Sequence, residues 1–143
     1  MDSESFEGRA LQYVLVRPDG FAPGAGVPLV ILMHGFGANM HDLASLAPAI
    51  DPRYVYAFPN GPLRVNLGYG VGYSWAMREG VEPPPPGSPS LDEQLDVFIE
   101  EVLRATGTAP GNVILGGFSQ GGGQTLRYGL PRPELFRGLI VLS

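Results

Sequence analysis

One serine of this sequence stands where a serine can do chemistry. Residues 112–125 read Asn-Val-Ile-Leu-Gly-Gly-Phe-Ser-Gln-Gly-Gly-Gly-Gln-Thr, and Gly117-Phe118-Ser119-Gln120-Gly121 within them has the form G-x-S-x-G. That spacing suits a nucleophilic serine at the tip of a tight strand-to-helix turn. Such a turn strains the serine backbone, and only small neighbours permit it, so glycines belong two residues before and two after. A helix starting at the serine points its N-terminal amides and dipole at the place where an oxyanion forms. The flanks agree: apolar Val113, Ile114 and Leu115 precede the glycines, and a helix-like segment through Leu126, Tyr128 and Leu130 follows. The competing reading is a glycine-rich turn with an incidental serine.

A second chemical element lies upstream. The apolar run 27–33 ends in His34-Gly35-Phe36-Gly37, where glycines let the backbone turn its amides inward. The amide of Phe36 is the expected partner of the amide of Gln120, because a tetrahedral oxyanion takes two donors. His34 and His41 are the only histidines. His34 reads as a structural ring within that turn, and His41 as a solvated residue.

The elements that must position these groups follow from periodicity. Residues 11–17 alternate as a strand, and the turn-rich stretch 18–26 predicts a hairpin with a long loop into 27–33. Residues 27–33 are nearly all apolar, the pattern of a strand buried on both faces of a parallel sheet. Asp42, Leu43, Leu46 and Ala47 share a helical period that Pro48 and Asp51-Pro52 are expected to stop. Residues 53–58 form a third buried strand. Residues 90–106 read as a helix with Ser90 as N-cap and Glu93 in the capping-box position. Residues 138–142, from Gly138 to Leu142, form a last apolar strand. Strands alternating with helices predict a parallel, doubly wound α/β sheet in one domain over 1–143. Asp42, Asp92 and Asp96 fall on helices, where solvated or capping roles suit them.

Between the third strand and that helix, residues 59–89 are rich in glycine, proline and aromatics. They predict a stretch without regular structure, acting as a lid or binding loop beside the cleft. Tyr69, Tyr73, Trp75 and Met77 offer it an apolar wall, and residues 83–86 are four prolines that favour polyproline II.

Composition removes several classes of function. The chain has 143 residues, a net charge of −5, nine arginines and no lysine. No basic stripe is present, so nucleic acid is not an expected partner. No cysteine is present, which excludes disulfides and thiol chemistry. The N-terminus is acidic without an apolar h-region, and no apolar run is long enough to span a bilayer. A cytoplasmic location is the default expectation.

Taken in order, His34-Gly-Phe-Gly-Ala-Asn39, Phe58-Pro-Asn-Gly-Pro62, Gly72-Tyr-Ser-Trp75, Gly116-Gly-Phe-Ser-Gln-Gly-Gly122 and Leu139-Ile-Val-Leu-Ser143 resemble the phospholipase/carboxylesterase family of α/β-hydrolases, which includes the acyl-protein thioesterases. The resemblance covers nearly the whole chain. It implies Ser119 as nucleophile, the amides of Phe36 and Gln120 as oxyanion donors, and Trp75, with Tyr73 beside it, lining the substrate cleft. It also implies small-molecule carboxylic esters or thioesters as substrates, with no metal or cofactor. The departure from the pattern is equally specific. In this family the acid and base follow the serine, yet residues 120–143 contain no Asp and no His. Two readings stay open: an esterase whose triad is completed by a longer C-terminus or another chain, or a non-catalytic domain that keeps the fold. Either way, the 138–142 strand is expected to be an apolar edge that pairs with another copy or a partner chain.

Overall fold

The chain's apolar runs assemble into one sheet around a central strand that has no solvent face. A computed structural model describes all of residues 1–143. In chain order it contains β1 (Asp2–Phe6), β2 (Tyr13–Arg17), β3 (Leu29–Met33), a 3-10 turn (Ala44–Leu46), α1 (Ala47–Ile50) and β4 (Val55–Pro59). Then come β5 (Leu63–Asn66), β6 (Val71–Ser74), α2 (Leu91–Thr106), β7 (Val113–Phe118), α3 (Gln120–Gly129) and β8 (Phe136–Leu142). Six strands form the main sheet in the order β1-β2-β4-β3-β7-β8, while β5 and β6 make a separate hairpin.

All five residues of β3 are buried, so β3 needs a neighbour on each side and a layer on each face. Parallel β4 and β7 flank it, and parallel β8 lies outside β7. The pleat then divides its side chains. Leu29, Ile31 and Met33 join the larger core with Leu95, Phe98, Ile99 and Val102 of α2 and Tyr128 of α3. Val30 and Leu32 face the other way, into a smaller core with Tyr56, Phe58 and Ala47 of α1. The two longer helices therefore cover one face, and a single helical turn contributes to the other.

Local chemistry explains α2. The Ser90 side chain accepts from the Glu93 amide at 3.1 Å, and the Glu93 carboxylate accepts from the Ser90 amide at 3.1 Å, closing the expected capping box. Gly107, in the left-handed region at φ 65°, ends the helix. Tyr128 on α3 donates a short hydrogen bond to Asp96 on α2, and Arg127 pairs with Asp92 at 2.7 Å, so the two helices are also joined across their polar faces.

Three expectations are corrected, and one strand was not foreseen. β2 is not in a hairpin with β3: it pairs antiparallel with β1 and β4. The two-faced burial of β3 selects parallel neighbours, and the long 18–28 connection leaves room to skip a strand. β1 was not foreseen, because Asp-Ser-Glu-Ser-Phe has no apolar alternation. Backbone pairing to β2 holds it, aided by Arg17 reaching Glu4 at 3.2 Å. Pro48 does not stop a helix but opens α1, where its missing N–H costs nothing. Finally, residues 59–89 are not without regular structure, since β5 and β6 pair within them from Leu63↔Ser74 to Asn66↔Val71.

Phe98 is 1% exposed and packs edge-on against Tyr13 at 5.4 Å. Phe98→Ala should cost about 3–5 kcal/mol, as for a large core aromatic truncated at a well-packed site. Urea unfolding measures it, and a loss within about 0.5 kcal/mol, the size of an ordinary surface change, contradicts the docking of α2 described here.

Candidate active site

Register brings the two chemical elements together. Met33, the last residue of β3, is paired with Gly117, one residue before the end of neighbouring β7, so the residues that follow these strands, His34 and Ser119, leave the sheet at the same edge. An ideal Cβ on Gly35 lies 3.3 Å from the Phe118 ring and 3.7 Å from the Ser119 Cβ. The loops are thus in contact distance without further folding.

Ser119 is the single non-glycine residue with positive φ, at φ 55° and ψ −111°. Strain of that kind costs roughly 1–3 kcal/mol and persists only where the surroundings impose it. Here they do. The Ser119 amide donates to the Leu142 carbonyl at 2.8 Å, and its own carbonyl accepts from Gly123 at 3.1 Å. A Cβ on Gly117 would collide with the Gly121 backbone, and one on Gly121 with the carbonyls of Met33 and His34. Both glycines of the motif are therefore required by backbone-to-backbone approach. The Ser119 side chain is exposed, and its Oγ has no protein partner.

A cavity of about 340 Å³ adjoins it, bounded by Gly35, Phe36, Ala38, Leu43 and Phe118, with His34 and Asp42 also at its wall. The Phe36 N–H, in the 34–38 turn, donates to no protein acceptor. Gln120 is the first residue of α3, where an amide has no intrahelical acceptor. Two such donors are what an oxyanion formed by attack of a serine hydroxyl on a carbonyl requires. A larger cavity, about 450 Å³, lies by Met1, Phe21 and Pro52, at the opposite ends of the parallel strands, and has no nucleophile. No group of three or more His, Cys, Asp or Glu side chains is placed to hold a metal ion.

The remaining candidate residues sit differently from expectation. Trp75 does not line the cleft. It is 1% exposed, its ring lies 5.2 Å from that of His34, and its indole N–H donates to the His34 carbonyl at 2.9 Å. An aromatic residue amid glycines and prolines reads as surface when no periodicity marks it, and burial here comes from distant residues. Tyr73 is half-buried, and its backbone pairs with Gly37 and Ala38. Arg78 lies 4.1 Å over the Phe36 ring and holds that side chain against the loop. The Gln120 side chain, which sequence reading passed over in favour of its amide, accepts from the Trp75 amide at 2.9 Å and donates to Ser74 Oγ at 3.0 Å. The signal available for it was slight: small Gly72 and Ser74 alternating along β6.

His34 is buried, and both ring nitrogens are occupied. Nε2 accepts from the Gly61 amide at 2.9 Å, and Nδ1 lies 2.7 Å from the Gly35 carbonyl. A neutral ring with its proton on Nδ1 satisfies both. Burial disfavours the charged form and holds its pKa below 6.5, against smaller opposing effects of the Gly35 carbonyl and Asp42. The unfolded state therefore binds the extra proton first. This contribution to stability is complete above pH 6.5 and declines as pH falls from 6.5 toward the lower folded value, by at most about 1.4 kcal/mol per pH unit. His34→Asn, which keeps a donor and cannot titrate, should remove that slope between about pH 6.5 and 5, above the carboxylate range. Equal slopes in both proteins contradict a buried neutral His34.

With this geometry in hand, likeness to known proteins becomes informative. A sequence profile of the phospholipase/carboxylesterase family matches residues 24–143. Acyl-protein thioesterase 1 of Kluyveromyces lactis is 30% identical over 131 residues, which cover 80% of this chain and 55% of that protein. Esterase alnB of Emericella nidulans is 28% identical over 131 residues, covering 82% and 43%. The chain spans about half the length of these curated relatives. Among solved structures, esterase PE8 matches with a TM-score of 0.65 at 26% identity, over 90% of this chain and 61% of that one. A carboxylesterase from Mesorhizobium loti matches with a TM-score of 0.67 at 20% identity, over 100% and 68%, a likeness of fold. Sheet order, strand-to-helix turn and sequence profile agree: this chain belongs to the phospholipase/carboxylesterase family of α/β-hydrolases.

Proposed function

We propose that the chain carries the nucleophile and oxyanion site of a serine hydrolase that cleaves carboxylic esters, thioesters included, through an acyl-enzyme on Ser119. One observation carries the reading. The chain's single strained non-glycine residue is a serine at a strand-to-helix junction, with a free hydroxyl beside a cavity. The names of the relatives, a thioesterase and an esterase, support the substrate class.

In this reading Ser119 Oγ attacks the carbonyl carbon, and the oxygen takes the negative charge between the amides of Phe36 and Gln120. Each such donor contributes about 3–4 kcal/mol to the transition state. Collapse expels the alcohol or thiol, which leaves with a proton, and water repeats the attack to release the acid. A serine hydroxyl needs a base to take its proton, and neither histidine here is placed for it. Both nitrogens of His34 are engaged, and His41 is exposed and outside the cavity wall. We assign the acid and base to a further segment or a second chain seated on β8. The exposure of Ile140, Val141 and Leu142 along that edge, at 40–47%, supports the assignment.

A fluorophosphonate probe followed by intact and peptide mass measurement tests the nucleophile. With the segment or chain that supplies the base present, the label is expected on Ser119 and nowhere else, and Ser119→Ala should take none while its stability stays within about 0.5 kcal/mol of the parent. Equal labelling of the alanine variant contradicts the assignment. Ser119→Gly carries the complementary expectation. Relief of backbone strain outweighs glycine's extra chain entropy, so this variant should be more stable by about 1 kcal/mol. A glycine variant less stable than its parent shows that Ser119 is not strained.

A further inference from the structure

We infer that Trp75 is a positioning residue that ties the two proposed oxyanion donors to each other, an inference that rests on the reading of Ser119 above and deepens it. Trp75 is the only tryptophan, and it holds one donor segment with its backbone and the other with its side chain. Its amide donates to Gln120 Oε1 at 2.9 Å. Its indole N–H donates to the carbonyl of His34, two residues before Phe36, at 2.9 Å.

Each end of this bridge is itself fixed. The Gln120 amide group uses its oxygen on Trp75 and its nitrogen on Ser74 Oγ, at 3.0 Å, so its orientation is set at both ends. Ser74 Oγ in turn donates to the Ala76 carbonyl at 2.7 Å. On the far side, the Gly37 amide donates to the Tyr73 carbonyl at 2.8 Å, and the Tyr73 amide to the Ala38 carbonyl at 2.9 Å. The turn that carries Phe36 is thus paired, backbone to backbone, with the strand that leads into Trp75. Gly72 has no side chain because the Gly37 carbonyl occupies the space of a Cβ.

The physical need is clear. Both donors are backbone amides at the ends of separate strands, and an oxyanion is stabilised only if both are in place before it forms. A loop amide displaced by about 1 Å loses much of its effect on the reaction. The side chain of Gln120 makes hydrogen bonds to residues 74 and 75 and to none of residues 34–38. The hydrogen-bonded route from that side chain to the Phe36 turn therefore runs through Trp75 and β6.

The test uses the 15N-labelled chain, with Trp75→Phe, which keeps a ring and loses the indole N–H, and Gln120→Leu, which keeps the backbone N–H at 120. Amide hydrogen exchange is followed at Gly37 and Tyr73, with Phe98 and Val102 of α2 as the reference for global opening. In parallel, the affinity for an alkyl boronic acid is measured. Ser119 Oγ bonds to boron, the serine proton leaves to solvent, and the result is a tetrahedral anion without cleavage of any carbon bond. In both variants, exchange at Gly37 and Tyr73 should rise about tenfold relative to α2, and boronate binding should weaken by about the same factor, the size of one lost buried hydrogen bond. Exchange at Gly37 and Tyr73 that follows α2 in Gln120→Leu overturns the inference, and that variant decides if Trp75→Phe does not fold. Faster exchange with unchanged boronate affinity also overturns it, since Trp75 then serves packing alone. Boronate binding that is unaltered in Ser119→Ala refutes the nucleophile reading instead; where the parent binds no boronate, exchange alone decides whether the tie exists.

Discussion

The site depends on one close approach, in which the first turn of α3 rests on the end of β3 with no side chain between them. A Cβ on Gly121 has no room beside the carbonyls of Met33 and His34, and one on Gly117 has none beside Gly121. Backbone-on-backbone contact of this kind sets where the helix begins. It forces Ser119 to φ 55°, because the chain must turn from strand to helix within a single residue. It also brings the N-terminal end of α3, with its unpaired amides and positive dipole end, up to the turn that carries Phe36.

Around that contact the polar groups are arranged so that few are left without partners. His34 would carry a charge in a buried place if it were basic. Instead it serves as a neutral linker, accepting from Gly61 and donating to Gly35. Gln120 and Ser74 saturate one another and the Trp75 amide. No buried side-chain nitrogen or oxygen is left unpaired. The free hydrogen-bonding groups at this edge include the Ser119 hydroxyl and the amides of Phe36 and Gln120. Satisfied polar networks in low-dielectric surroundings hold a single arrangement, which a site built from loop backbone requires.

Sequence legibility followed the range of the forces involved. The G-x-S-x-G turn could be read directly because its constraint spans five consecutive residues. The same holds for α2, whose cap and amphipathic face are local, and for β3, whose apolar run leaves no doubt about burial. β1 escaped notice because Asp2 to Ser5 are polar and exposed, and only pairing with β2 makes them a strand. The β5–β6 hairpin was hidden by glycines placed for close approach, with Gly72 facing the Gly37 carbonyl. Trp75 looked like a cleft wall because composition alone cannot show that its indole reaches the His34 carbonyl, 41 residues away in sequence.

The central claim is that the amides of Phe36 and Gln120 converge on one oxygen bound at Ser119, and a crystal structure of the chain with an alkyl boronic acid tests it most directly. The account predicts a tetrahedral boronate on Ser119 Oγ, with one boronate oxygen about 2.7–3.1 Å from both amide nitrogens. A boronate whose oxygens face solvent, or that reaches only one of the two amides, contradicts it.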